Sequence, residues 1–177
     1  AAYFGEVENS VTGIRDNDQG EYRYKYLDAE ETDVIVPQVP FLESLADGRG
    51  PRRQQLARWV THRDNRPFAR TAVNRAWAIL FGRPLVEPID DMRATNPATN
   101  EPLLDLLAER LVSSGYDIKD LTQFILSSRT YQLSAEANDS NNRDNQNFSH
   151  ASWKPVPAEV LLDAISQVTG IAEQFNG

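Results

Sequence analysis

Cysteine is absent from the 177 residues. Disulfides, thiolate metal sites, a cysteine nucleophile and covalent c-type haem attachment are therefore excluded within the chain. The compartment is not decided by this, because a secreted domain of this size can fold without disulfides. Histidine occurs only at His62 and His150, without an HExxH or other ligand spacing, so surface or capping roles suit both. No apolar run approaches the roughly 20 residues that span a bilayer, and no n-region and h-region of a secretory signal appear. Membrane insertion is not expected. The Gly-x-Ser-x-Gly elbow, the Gly-x-Gly-x-x-Gly turn and the Walker loop are all missing, which removes the usual serine-nucleophile and phosphate-cradle readings. A net charge of −8 is the wrong sign for a general nucleic-acid binder. With these ligand sets absent, no cofactor is expected in this chain.

What is present divides at Gly48-Arg49-Gly50-Pro51. Residues 1–50 carry eleven acidic side chains against four basic ones, whereas the remainder is close to neutral. The shift in composition and the Gly/Pro punctuation predict an acidic, partly β, linker-like segment over 1–50 and a helical domain over 51–177. Glu21 to Tyr26 alternates charge with aromatic, the period of a half-buried strand, and Thr32 to Val36 is β-branched except for Asp33. Asp16 to Gly20 reads as a turn. A short antiparallel hairpin or ribbon is expected here.

Beyond the break the period becomes helical. Arg52 to His62 places Leu56, Trp59 and Val60 together. Pro67 suits a helix start, and Phe68 to Phe81 is apolar over most of its circumference, so it should be the central helix, stopped by Gly82. Pro102 opens a third helix with Leu103, Leu104, Leu107 and Leu111 inside, ended by Gly115. Asp117 is placed to cap a fourth, with Ile118, Leu121, Phe124, Ile125 and Leu126 inward. A long polar loop, Ser134 to Lys154, precedes a fifth helix from Pro157 to Gly170, whose inner side is Val160, Leu161, Ala164, Ile165 and Val168. The expected fold is mainly α: an irregular bundle of about five helices with a β ribbon in the N-terminal segment.

Fifteen arginines against three lysines point to loops held by bidentate guanidinium pairing. The candidate polar cluster is Asn74, Arg75, Asp90, Asp91, Arg93, Asn96, Arg129 and Tyr131. Paired carboxylates such as Asp90-Asp91 can do acid–base work when one is buried, but an Arg–Asp network locking loop to helix is the commoner outcome. Arg93 and Arg129 are expected to clamp a loop carboxylate or loop carbonyls, with Asp90 or Asp91 as partner for one of them. Asp16, Asp18 and Glu21 resemble the start of a calcium loop, although Gly20 stands where a third ligand belongs; they form a weak calcium candidate, and no other metal site is expected.

Four stretches in order carry a family resemblance: Phe68 through Pro88, Asp90 through Pro97, Ser114-Gly115-Tyr116-Asp117 and Ser128 through Ser134. Pro157 through Ile165 completes the set. Together they resemble the planctomycete-type domain of unknown function found near the C-terminus of large proteins, behind cytochrome-c-like regions. The resemblance covers roughly residues 52–175. It implies an extracytoplasmic location, periplasmic or cell-surface, and makes other domains of the same parent protein the expected partners. It assigns no catalytic residue. The function expected is that of a non-catalytic structural and docking module. The alternative is a carbohydrate-related enzyme or ligand-binding domain using the Asp/Arg/Asn loops, with Trp153 the one loop tryptophan available to stack on a sugar.

Overall fold

The computed structural model of the chain describes residues 1–17, 20–46 and 48–171. The chain forms two compact units, Ala1–Arg70 and Thr71–Gly177.

The first unit opens with a 3-10 turn at Ala2–Phe4, followed by an antiparallel hairpin of β1 (Val7–Ser10) and β2 (Gly13–Asp16). A second ribbon pairs β3 (Arg23–Tyr24) with β4 (Asp33–Val34). The tyrosine run and the β-branched run thus pair as their patterns suggest. However, the ladder is only two residues long and both strands are exposed. The β1–β2 hairpin lacks the alternation that would have announced it. Helix α1 (Arg52–Val60) follows the Gly/Pro break. Trp59 is buried with Tyr3 and Val39, and Leu45, Ala46, Leu56 and Val60 pack against them. The indole N–H of Trp59 donates to the Phe41 carbonyl at 2.9 Å. This packing of α1 on the N-terminal turn explains why the compact units divide beyond the sequence break. Asn65, itself buried, donates to the Trp59 carbonyl and accepts from the amide of Phe68, joining the end of α1 to the start of α2 (Arg66–Phe81).

The second unit holds most of α2, then α3 (Glu101–Ser113), α4 (Ile118–Leu126) and α5 (Ala158–Thr169). Its buried apolar side chains are Val73 and Trp77 on α2, Leu85 and Val86 just after it, Leu104, Leu107, Ala108 and Leu111 on α3, and Leu121 and Ile125 on α4. The stops and starts are local chemistry. Gly82 adopts φ +77 after α2, and a Cβ there would meet the Lys154 side chain at 2.9 Å, so only glycine suits the position. Asn100 caps α3 by accepting from the Leu103 amide. At the end of α3 the Gly115 amide donates to Val112 and the Tyr116 amide to Leu111, a Schellman closure with Gly115 at φ +71. Two residues on, Asp117 accepts from the amides of Lys119 and Asp120 and starts α4, as its position predicted.

Two inward faces differ from expectation. On α4 only Leu121 and Ile125 are buried; Ile118, Phe124 and Leu126 are open. The contact with α3 covers a narrow stripe, and Phe124 lies beside it under the Arg110 guanidinium, 4.2 Å from the ring centroid. On α5 nothing is buried: Val160, Leu161, Ala164, Ile165 and Val168 all face outward, Val168 at 88% exposure. Pro157 holds an extended backbone, φ −53 and ψ 143, at its entry, and among the described residues nothing buries the helix's apolar stripe.

Trp77 is 3% exposed, yet its indole N–H has no hydrogen-bond partner among the described residues. Trp77→Ala should cost about 3–5 kcal/mol in denaturant melts through the cavity it leaves. Trp77→Phe should cost much less than that, because it deletes the orphaned donor along with part of the ring. Equal losses in the two variants would contradict the assignment.

Candidate functional site

Helix α2 ends in a connection, residues 82–100, without regular secondary structure, so its backbone amides and carbonyls must find partners elsewhere. Asn74 supplies them. It is fully buried, and its Oδ1 accepts from the amides of Leu85 (2.8 Å) and Val86 (2.9 Å). Its Nδ2 donates to the carbonyls of Val86 (3.0 Å) and Ile89 (2.9 Å). A carboxamide has two donor hydrogens and two acceptor lone pairs, and all four are used. The Glu87–Pro88 peptide bond within this segment is cis.

The neighbouring polar residues extend the same fastening. Arg75 donates through Nε and Nη2 to Oδ1 of Asp90, at 2.9 and 2.8 Å. Asn96 donates to the carbonyls of Glu87 and Asp91, at 3.1 and 3.0 Å, closing the loop onto itself. Arg93 makes the bidentate pair expected of it, Nε and Nη2 each 2.6 Å from the two oxygens of Asp91. The Arg93 hydrogen bonds hold the Asp91 carboxyl below the usual range, and Asp91 in turn raises the Arg93 guanidinium. Six of the eight cluster residues therefore lie together along α2 and its connection.

Arg129 and Tyr131 lie elsewhere. Arg129 is exposed just past α4 and has no partner, carboxylate or loop carbonyl, among the described residues; the expected clamp is corrected here, because a solvated guanidinium on the surface fastens nothing. Tyr131 joins an aromatic shelf. Trp77 and Phe81 stack at 4.0 Å, and Phe148 meets both edge-on at 5.3 Å. Tyr131 meets Phe81 edge-on at 5.5 Å, and the Lys154 ammonium lies 5.4 Å from the Tyr131 centroid. The same ammonium donates to the Leu80 carbonyl at the end of α2, where cationic groups are favoured.

Phe148 comes from the long polar loop, and Asp144 sets it in place. Asp144 accepts from the amides of Gln146 (2.9 Å), Asn147 (2.7 Å) and Ser149 (3.0 Å), and from the Asn147 side chain. The bonds from Ser149, Asn147 and Gln146 hold its carboxyl far below the usual carboxylate range. Phe148 sits at φ +57, a left-handed conformation unusual for an aromatic residue, and turns its ring onto Trp77 and Phe81. Neither Asp144 nor Phe148 is singled out by sequence; the only signal is one aromatic inside an Asn-rich stretch.

Of the weak calcium candidate, Asp16 pairs with Arg53 at 2.9 Å and Glu21 with Arg23 at 2.8 Å, while Asp18 lies outside the described residues. Among the described residues no group of three or more His, Asp or Glu side chains is placed to hold a metal ion, and no helix is long and apolar enough to cross a membrane. His62 sits beside Asp64, and His150 contacts the Ala151 carbonyl.

Concave surfaces border this region. One, about 550 Å³, is a polar cleft in which Arg83, Glu87, Asn96 and Thr99 of the first connection face Asn145 and Gln146 of the long loop. Another, about 750 Å³, runs past Ile79, Gly82, Trp153, Lys154 and Val156.

Residues 52–177 match the family described as PSD1, a protein of unknown function (DUF1553). The chain belongs to this family. No curated protein and no solved structure matches it. The DUF1553 match contains the Asn74 fastening, both clefts and α5, and it begins at the first residue of α1.

Asn74→Ala should leave buried amides and carbonyls of the 85–89 segment without partners and lose about 3–5 kcal/mol in denaturant melts. A loss under about 1 kcal/mol would show that water replaces the carboxamide freely. The pH dependence follows from Asp144. Its charge favours the folded loop above the ordinary carboxylate pKa of 3.8, and that contribution fades only as pH falls through the much lower folded value. Acid titration followed by tryptophan emission should therefore keep Phe148 on Trp77 until well below pH 3.8. Asp144→Asn should loosen that packing at neutral pH as well, since an amide nitrogen cannot accept from Ser149.

Proposed function

We propose that this chain is a non-catalytic structural and docking module whose partners are other domains of a larger extracytoplasmic protein. The observation that carries the reading is the saturation of Asn74 and its neighbours. The polar side chains that an enzyme reading would recruit hold a loop to a helix instead. Asp90 and Asp91 are ion-paired, and the Asp91 carboxyl, held low by the Arg93 hydrogen bonds, is a poor general acid or base near neutral pH. The larger groove beside them is mostly apolar: Ile79 at 78% and Trp153 at 89% exposure line it with Val156, rimmed by Arg83 and Lys154. Such a surface suits a protein face with apolar anchors and an acidic edge. The location and the parentage rest on the family resemblance.

A second reading has its own support. The polar cleft presents three amides, a carboxylate, a guanidinium and a hydroxyl from two different loops, a donor and acceptor mixture that suits sugar hydroxyls. Trp153 is free to stack on a pyranose face.

One pair of experiments separates the two. Ile79→Asp combined with Trp153→Ala should change stability by no more than about 0.5 kcal/mol, as for exposed positions, yet abolish association with the remaining domains of the parent. Calorimetric binding of soluble oligosaccharides that Gln146→Ala removes, with domain association untouched, would overturn the docking reading in favour of the sugar site.

A further inference from the structure

The acceptor sequence for asparagine-linked sugars, Asn-x-Ser/Thr with x other than proline, occurs twice in the chain. Both copies lie in the long loop between α4 and α5, as Asn138-Asp139-Ser140 and Asn147-Phe148-Ser149. The fold treats them differently. Residues 136–140 are all exposed. Asn138 Oδ1 accepts from the Ser140 amide at 2.9 Å and from the Ser140 hydroxyl at 2.5 Å, so the serine of the motif holds the asparagine's own side chain. The Asn138 Nδ2 is left without a partner among the described residues. Glu136, two residues ahead and without an ion pair among the described residues, offers an enzyme a carboxylate to grip beside that amide. Asn145 stands at the same place before Asn147.

Asn147 is committed elsewhere. Its Nδ2 donates to Asp144 Oδ1 at 3.1 Å, and its backbone amide donates to the same oxygen at 2.7 Å. The Ser149 amide donates to Asp144, where the Ser140 amide donates to Asn138. Between Asn147 and Ser149, the Phe148 ring is packed on Trp77 and Phe81. An enzyme that takes up Asn147 must first pull that ring away.

We propose that Asn138 is an attachment site for an oligosaccharide and that the folded loop shields Asn147. The donor class is an oligosaccharide carried on a polyprenyl diphosphate. A bond forms between Asn138 Nδ2 and the anomeric carbon of the first sugar, while the bond from that carbon to the diphosphate oxygen breaks. The diphosphate leaves with the electron pair, Nδ2 gives one proton to a base of the transferase, and nothing is oxidised or reduced. A glycan is bulky and hydrated, and an exposed loop has room for it. The proposal rests on the extracytoplasmic location proposed above.

Two measurements test it and separate it from that location. In the first, the purified full chain is incubated with an oligosaccharyl transferase that reads Asn-x-Ser/Thr and with its polyprenyl-diphosphate donor. A synthetic peptide of residues 134–142 serves as the control acceptor. Intact mass should rise by one glycan, and peptide mapping should place it on Asn138. Asn138→Gln and Ser140→Ala should each lose the gain, and Ser140→Thr should keep it, with circular dichroism unchanged in all three. This reaction needs no compartment, so a chain that stays unmodified while the peptide reacts overturns the acceptor site and not the location. Glycan on Asn147 as readily as on Asn138 overturns the shielding. The second measurement is mass spectrometry of the parent protein from its own cells after fractionation. An exported parent with glycan on Asn138 supports the proposal, and an exported parent without it overturns the proposal alone. A cytoplasmic parent overturns the location and the modification together.

Discussion

The second unit depends on one carboxamide. The connection after α2 has no helix or strand to pair its backbone, and buried amides without partners cost more than most side-chain contacts return. Asn74 meets two amides and two carbonyls of residues 85–89 from a single buried position. Aspartate at this place loses both donors, and glutamine has the right groups on a stem one carbon too long. Leu85 and Val86, both buried, are held by those bonds, and the surface pairs of Arg75 with Asp90 and Arg93 with Asp91 sit on a loop whose path Asn74 has already set.

The long loop between α4 and α5 is ordered by a different device. Its Asn and Asp side chains satisfy its own amides, Asn138 serving Ser140 and Asn141 serving Asn138 in the same way that Asp144 serves residues 146–149. A loop that closes its own hydrogen bonds asks little of the helices. It needs one apolar anchor, and Phe148 on the Trp77–Phe81 stack is that anchor. The left-handed backbone at Phe148 is offset by the ring contacts and by the Arg83 guanidinium 4.6 Å from the ring centroid.

Burial in this unit is concentrated on α2, α3 and α4, which leaves α5 and the groove beside Trp153 as apolar surface in water. Scattered exposed apolar residues are ordinary, but a helix without one buried residue is not.

Local chemistry was legible from the sequence alone. Asp117 as a cap, Gly82 and Gly115 as stops, the apolar character of α2 and α3, the ribbon in the acidic segment and the Arg93–carboxylate pair each depend on residues close in the chain, where propensity and spacing speak directly. The tertiary structure decided the rest. Asn74 looks in the sequence like one polar residue on an apolar helix; only the return of residues 85–89 turns it into a buried fastener. Arg129 and Arg93 look alike in the sequence, and only the structure shows Arg93 forked onto Asp91 while Arg129 lies exposed without a partner among the described residues. The stripe on α5 has the period of a buried helix, and periodicity reports which residues share a face without reporting whether anything covers that face. That last distinction needs the position of every other element, because burial is a property of neighbours brought from far along the chain.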